Sequence, residues 1–96
     1  MFICDCHCDT LTELYKKGTS LYANDQHFDI QRQIALGGGL QFCAIFVPTH
    51  EFRYYGGLRY TLQLLDKYLQ EVKKLHADGI DVLQVLTKED LSLIHI

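Results

Sequence analysis

The sequence lacks any apolar run close to the roughly 20 residues that cross a bilayer. Its N-terminus also has no basic region followed by a long apolar stretch, so we predict neither a membrane span nor a signal peptide. Basic residues are scarce: 9 Lys and Arg stand against 12 Asp and Glu, the net charge is -3, and no basic stripe forms. This balance argues against a nucleic-acid partner. With 48% hydrophobic residues among 96 and one proline, the composition is that of an ordinary globular chain.

A disulfide framework is missing as well. The 4 cysteines are Cys4, Cys6, Cys8 and Cys43. The first three alternate along one short segment, where their Cβ atoms are poorly directed for pairing with each other. Since no export signal precedes them, this pattern predicts reduced thiols in a cytoplasmic protein.

Hydrophobic periodicity predicts that strands and helices alternate. Strands are predicted over 1–8, 40–47 and 80–86, and helices over 10–17, 30–36 and 58–76, with another helix starting at 87. Such alternation is typical of a parallel α/β fold. Because a complete parallel barrel takes about 250 residues, we expect 1–90 to form the first two to three β/α units of a TIM-type (β/α)8 barrel.

Local signals refine these elements. Thr10 with Glu13 predicts a capping box, and Asp29 predicts the N-cap of the second helix. The near-continuous apolar run over 40–47 predicts a strand that is buried on both faces. The third helix carries an apolar stripe that we expect to face the core, formed by Leu58, Leu62, Leu65, Leu69 and Val72.

The segment Asp5-Cys6-His7-Cys8-Asp9 is the most informative part of the chain. Side chains alternate along a strand, so Asp5, His7 and Asp9 are expected on one face and the cysteines on the other, against the outer helices. An imidazole and a carboxylate two residues apart are suited to bind one zinc ion. The carboxyl end of a barrel strand is also where active sites lie. The sequence therefore predicts His7 and Asp9 as metal ligands.

The opening run Ile3 to Leu11 resembles the signature of the membrane (renal) dipeptidase family of zinc metallopeptidases, Asp-x-His-x-Asp followed by Thr or Leu. A second block, Gly38-Gly39-Leu40-Gln41-Phe42, resembles the Gly-Gly-x-Gln-Phe strand of that family. Cys6 stands where the family often has glycine, and Cys43 where an aromatic residue is common. From 58 to 90 only the order of elements is similar.

This resemblance implies a (β/α)8-barrel enzyme that hydrolyses dipeptides with a metal-activated water and holds two zinc ions. His7 and Asp9 would bind one zinc ion, and Asp5 would be a supporting acid. A bridging glutamate, expected as Glu-Gly at the end of a fourth strand, and further histidines would come from later segments. The 96-residue chain alone is therefore expected to be inactive. The sequence leaves a homodimer open as the assembly.

Two other functions remain open at this point. One is another metal-dependent, amidohydrolase-like barrel enzyme, although such enzymes more often open with His-x-His. The other is a small metal-binding protein that uses the thiolates of Cys4, Cys6 and Cys8, although zinc sites of this kind usually show Cys-x2–4-Cys spacing. His50, Tyr54 and Tyr55 are secondary candidates for the rim of a substrate pocket, and His27 and His76 are given no role in the site.

The last six residues, Leu91 to Ile96, resemble a translated reading frame of the transposon-end adapter that is used to tag DNA libraries. We therefore expect 91–96 to be a non-native tail rather than part of the barrel.

Overall fold

The computed structural model describes residues 1–92 as a mixed α/β domain with a two-stranded parallel sheet. Its elements are β1 (Ile3–Cys8), α1 (Thr10–Lys17), α2 (Ile30–Ala35), β2 (Gly39–Cys43), α3 (Gly57–Ala77) and α4 (Lys88–Leu91). Within this part of the chain, no helix combines the length and the apolar character that crossing a membrane requires. The predicted non-native tail comprises residues 91–96. Leu91 is the last residue of α4 and Ser92 is its C-cap, whereas residues 93–96 lie outside the described part.

The sheet pairs β1 with β2 in parallel, with an irregular register at its carboxyl end. Asp5 is the partner of Gln41, but the next pair is Cys8 with Cys43. From one pair to the next, β1 advances by three residues and β2 by two, which is the count of a β-bulge with one extra residue in β1. As a result, Cys8 rather than His7 lies opposite Cys43.

Helix α1 follows β1 almost at once, and its N-cap differs from the prediction. The capping residue is Asp9, and no side-chain hydrogen bond caps the helix, so the predicted capping box of Thr10 and Glu13 is wrong. The reason is that Thr10 is already helical and is buried at 3% exposure, while Asp9 directs its carboxylate to His7 instead. The predicted end is confirmed, because Gly18 adopts φ 66 and donates its N–H to Leu14 O.

The core lies between α1, α3 and the loop that precedes α2. Leu11, Leu14, Leu21, Phe28 and Leu75 are buried there together with Cys8. Tyr15 of α1 meets Tyr60 of α3 edge-to-face, with ring centroids 6.0 Å apart. These contacts place the carboxyl end of β1 directly over the apolar interior.

The predicted inner face of α3 is wrong. Leu58 and Leu62 are 75% and 54% exposed, and Leu65 and Leu69 are also exposed. The side chains that α3 buries are those of Tyr60, Leu64, Glu71 and Leu75. This helix carries apolar residues on two faces, and contact with α1 decides which of the two is buried.

The predicted second and third strands are also corrected. β2 ends at Cys43 rather than at 47, and Phe42 is 55% exposed, so β2 is not buried on both faces. Residues 80–86 form no strand, although Ile80 and Val82 pack against the core. Within residues 1–92, β2 therefore has only β1 as a partner, and it is only partly buried, unlike a central strand of a complete parallel sheet.

Helix α2 begins at Asp29, as predicted. One carboxylate oxygen of Asp29 accepts the N–H of Arg32 at 2.7 Å, and the other accepts the N–H of Asn24 at 3.2 Å and Arg32 Nε at 2.9 Å. Burial by itself would raise the pKa of Asp29, but these hydrogen bonds outweigh it and hold the pKa below the ordinary value of 3.8. Asp29 thus joins the loop before α2 to the first turn of α2. The helix predicted to start at 87 is also confirmed as α4, and the structure shows that Thr87 caps it through a capping box with Asp90.

We expect the contribution of Asp29 to stability to be lost in acid. Because its folded pKa is lowered, this contribution is complete above the ordinary pKa of 3.8 and disappears as the pH falls through the folded value. The protection of the Arg32 amide against hydrogen exchange, corrected for intrinsic rates, should fall over that range. Asp29→Asn keeps a capping acceptor but has no titratable charge, so the loss of Arg32 amide protection that is due to titration of Asp29 should be absent in this variant. Parallel losses in both proteins would contradict the assignment.

Candidate metal site

The carboxyl end of β1 brings His7 and Asp9 into contact. His7 Nε2 lies 3.1 Å from Asp9 Oδ1, and the two side chains are 63% and 61% exposed. Asp9 is free to make this contact because it caps α1 without a side-chain hydrogen bond. A polar contact between two side chains as exposed as these contributes only about 0–1 kcal/mol to stability. The pair is therefore available for binding at little cost to the fold.

Asp5, which precedes the bulge in β1, is hydrogen-bonded both to His7 and to the neighbouring strand. Its Oδ1 accepts the backbone N–H of His7 at 3.4 Å, and its Oδ2 accepts Gln41 Nε2 at 3.0 Å. Gln41 belongs to β2, so Asp5 links the backbone of His7 to the neighbouring strand. These contacts bring the Asp-x-His-x-Asp motif and the Gly-Gly-x-Gln-Phe block together in space.

An open cleft of about 700 Å³ runs along this part of β1. Asp5, His7, Asp9 and Gln41 line it, and Glu13 and His27 contribute to its wall. His27 was predicted to have no role in the site, because nothing in its local pattern shows that the loop before α2 returns to β1. That return depends on the hydrogen bonds of Asp29 two residues later.

The secondary candidates for the rim are not brought to the cleft. His50, Tyr54 and Tyr55 are not among the residues that line it. Tyr54 and Tyr55 are 84% and 86% exposed, and Arg53 lies over the Tyr54 ring. His76, at the end of α3, has its Nε2 2.9 Å from Val82 O. Their positions give these four residues no part in the candidate site.

The geometry of His7 and Asp9 fits two ligands of one zinc ion. Ligand atoms about 2.0–2.1 Å from a tetrahedral zinc lie about 3.3 Å apart, close to the 3.1 Å between Nε2 and Oδ1. Across residues 1–92, no group of three or more His, Cys, Asp or Glu side chains is placed to hold a metal ion. The described residues thus offer half of a tetrahedral site, and water, substrate or further protein ligands must supply the rest.

The cysteines do not gather into a metal site on their strand. Cys4 and Cys6 are exposed, and only Cys8 is buried, so the predicted packing against the outer helices is wrong for Cys4 and Cys6. The bulge sets Cys8 apart, and its Sγ lies 3.8 Å from Cys43 Sγ, within range of a weak S–H···S hydrogen bond. This contact lowers the pKa of Cys8 and raises the pKa of Cys43. All four cysteines are free thiols.

The chain matches no protein-family model, no curated protein and no solved structure. The functional argument therefore depends on the motif, its resemblance and the geometry of the site.

Proposed function

We propose that this chain is part of a zinc-dependent dipeptidase of (β/α)8-barrel architecture, in which His7 and Asp9 bind one of two zinc ions. The observation that carries this proposal is the 3.1 Å contact between His7 Nε2 and Asp9 Oδ1. It occurs at the carboxyl end of a parallel strand, where enzymes with parallel barrels assemble their active sites. The contact between Asp5 and Gln41 supports it further, because it joins the two sequence blocks that resemble the dipeptidase family.

Each residue of the site would have a separate role in holding the metal. His7 and Asp9 would each offer one donor atom to the metal. Asp5 holds the backbone of His7 in place, because its carboxylate accepts the backbone N–H of His7. When bound, zinc would activate water and polarise the scissile carbonyl of a dipeptide. The cleft of about 700 Å³ beside these residues falls within the 300–1,000 Å³ that is typical of small-ligand pockets. Small peptides are therefore of suitable size.

The remaining ligands would come from parts of the protein outside residues 1–92. Two zinc ions about 3.5–4 Å apart need an anionic ligand between them. His7 and Asp9 are not suited to bridge the ions while also leaving a position for water. We therefore propose a bridging glutamate from a later strand. A cytoplasmic location would suit the four free thiols.

The test is an assay of the protein that the complete native gene encodes. We expect it to hydrolyse dipeptides, to lose this activity on chelation and to recover it with zinc. A protein that binds zinc but leaves every dipeptide intact would refute the proposal. If it cleaves cyclic amides instead, the other class of metal-dependent barrel hydrolase is favoured.

The thiolate alternative is tested on the 96-residue chain itself. Cys4→Ser combined with Cys6→Ser removes two exposed thiols without touching the buried Cys8. We expect zinc binding to survive this double substitution, because the His7–Asp9 pair remains. Loss of zinc binding would instead assign the metal to the cysteines.

A further inference from the structure

Cys8 and Cys43 are placed for a covalent bond that the proposed hydrolase does not use. They are register partners at the carboxyl ends of β1 and β2. Neighbouring strands lie about 4.7–4.9 Å apart, within the range of about 4.4–6.8 Å between the Cα atoms of disulfide partners. Their sulfur atoms are already 3.8 Å apart. A bond would require side-chain rotation and a small approach of the two strands.

We propose that Cys8 and Cys43 form a redox modification site, at which a peroxide converts the two thiols into a reversible disulfide between β1 and β2. In the first step, peroxide oxidises one thiol to a sulfenic acid, and its O–O bond breaks to release water or an alcohol. The second thiol then attacks this sulfur, the S–S bond forms, and the S–OH group leaves as water with the proton of the second thiol. The two electrons lost by the sulfurs are those that reduce the peroxide.

The bulge in β1 selects this pair of cysteines. In an unbroken register Asp5 and Gln41 would be followed by His7 opposite Cys43, and no cysteine would face Cys43 directly. The extra residue brings Cys8 to that position instead. Cys4 has Leu40 as its partner, so Cys43 lies nearest to Cys8. Cys43 is only partly buried, which gives a small oxidant access to a pair whose other member is 7% exposed.

Oxidation would affect the end of β1 without involving the metal ligands directly. The disulfide would close a loop between two cysteines that are 35 positions apart in the sequence. It would also fix the bulge, and with it the backbone between His7 and Asp9. This inference does not rest on the dipeptidase proposal, because it needs only the two thiols and the strand register.

The experiment treats the zinc-free 96-residue chain with hydrogen peroxide, blocks the remaining thiols by alkylation and maps cross-linked peptides by mass spectrometry. We expect the Cys8–Cys43 peptide to be at least about tenfold more abundant than any other cross-linked pair, since only this pair has suitable geometry. Dithiothreitol should restore both thiols. Predominant pairing through Cys4 or Cys6, disulfides between two copies, or oxidation without a cross-link would each overturn the proposal.

Two variants serve as controls. Cys4→Ser combined with Cys6→Ser should form the same disulfide at the same rate, within about twofold, because neither thiol takes part. Cys43→Ser should abolish the cross-link at Cys8. If the double substitution removes the Cys8–Cys43 disulfide, or Cys43→Ser leaves Cys8 in a different intramolecular cross-link, the pair is not the site.

Discussion

Replacing His7 with alanine is expected to weaken zinc binding by the 96-residue chain at least about 100-fold. Loss of a group that only orients a metal ligand already weakens binding by up to about 100-fold, and loss of a ligand should weaken it at least as much. His7 Nε2 is the nitrogen atom that lies next to Asp9 Oδ1. Without it a single exposed carboxylate remains, and one carboxylate holds zinc poorly. Isothermal titration calorimetry with zinc, on the Cys4→Ser/Cys6→Ser background, measures the change without competition from exposed thiols.

His27→Ala is the matched control for this substitution. His27 is the same residue type in the wall of the same cleft, but the imidazole that contacts Asp9 is that of His7. We expect its removal to change zinc affinity by less than about threefold, a change of about 0.6 kcal/mol. Asp9→Asn should behave like His7→Ala. Equal affinities of the His7→Ala and parent proteins would show that His7 is not a ligand.

Leu64→Ala is expected to lower the free energy of unfolding by about 2–5 kcal/mol, because it leaves a cavity in the packed interior. Leu64 is fully buried at 0% exposure, on the side of α3 that also buries Leu75. Hydrogen exchange of the most protected amides of α1 and α3 reports this free energy. Both helices should lose protection, since α1 and α3 pack against each other.

Leu62→Ala is the control on the same helix. Leu62 is two residues away and 54% exposed, so its removal should change the free energy of unfolding by no more than about 0.5 kcal/mol. The stripe identified by sequence periodicity predicts the opposite order, with Leu62 inside. A larger effect of Leu62→Ala than of Leu64→Ala would therefore show that the packed face of α3 has been assigned incorrectly.

Apart from the capping box at Thr10, the sequence predicted best those features whose signals are local. Gly18 ends α1, Asp29 begins α2 and Thr87 caps α4, and in each case neighbours within five residues supply the contacts. The inner face of α3 was predicted wrongly because its leucines offer two apolar faces. Only packing against α1, which lies far away in the sequence, distinguishes them.

In the site too, contacts between neighbouring residues were predicted and contacts between segments distant in the sequence were not. The sequence predicted His7 and Asp9 on one face of the first strand, and the two side chains are in contact. Asp9, however, lies beyond the end of β1 as the N-cap of α1, so strand alternation alone does not explain the contact. The bulge opposite Gln41 and Cys43 depends on how two strands align. The Cys8–Cys43 contact could not be predicted without that alignment. The place of His27 in the cleft could not be predicted either, because it depends on how the loop before α2 returns to β1. The barrel fold, the dipeptidase activity and the non-native tail remain predictions.

The coordination of zinc is the most direct test of the central claim, that His7 and Asp9 bind the metal together. X-ray absorption spectroscopy of the 96-residue chain with one equivalent of zinc distinguishes nitrogen and oxygen ligands at about 2.0–2.1 Å from thiolate sulfur at about 2.3 Å. We expect nitrogen and oxygen ligands, with the multiple scattering of one imidazole, which His7→Ala should remove. A shell dominated by sulfur, or an imidazole signal that persists in His7→Ala, would contradict the claim.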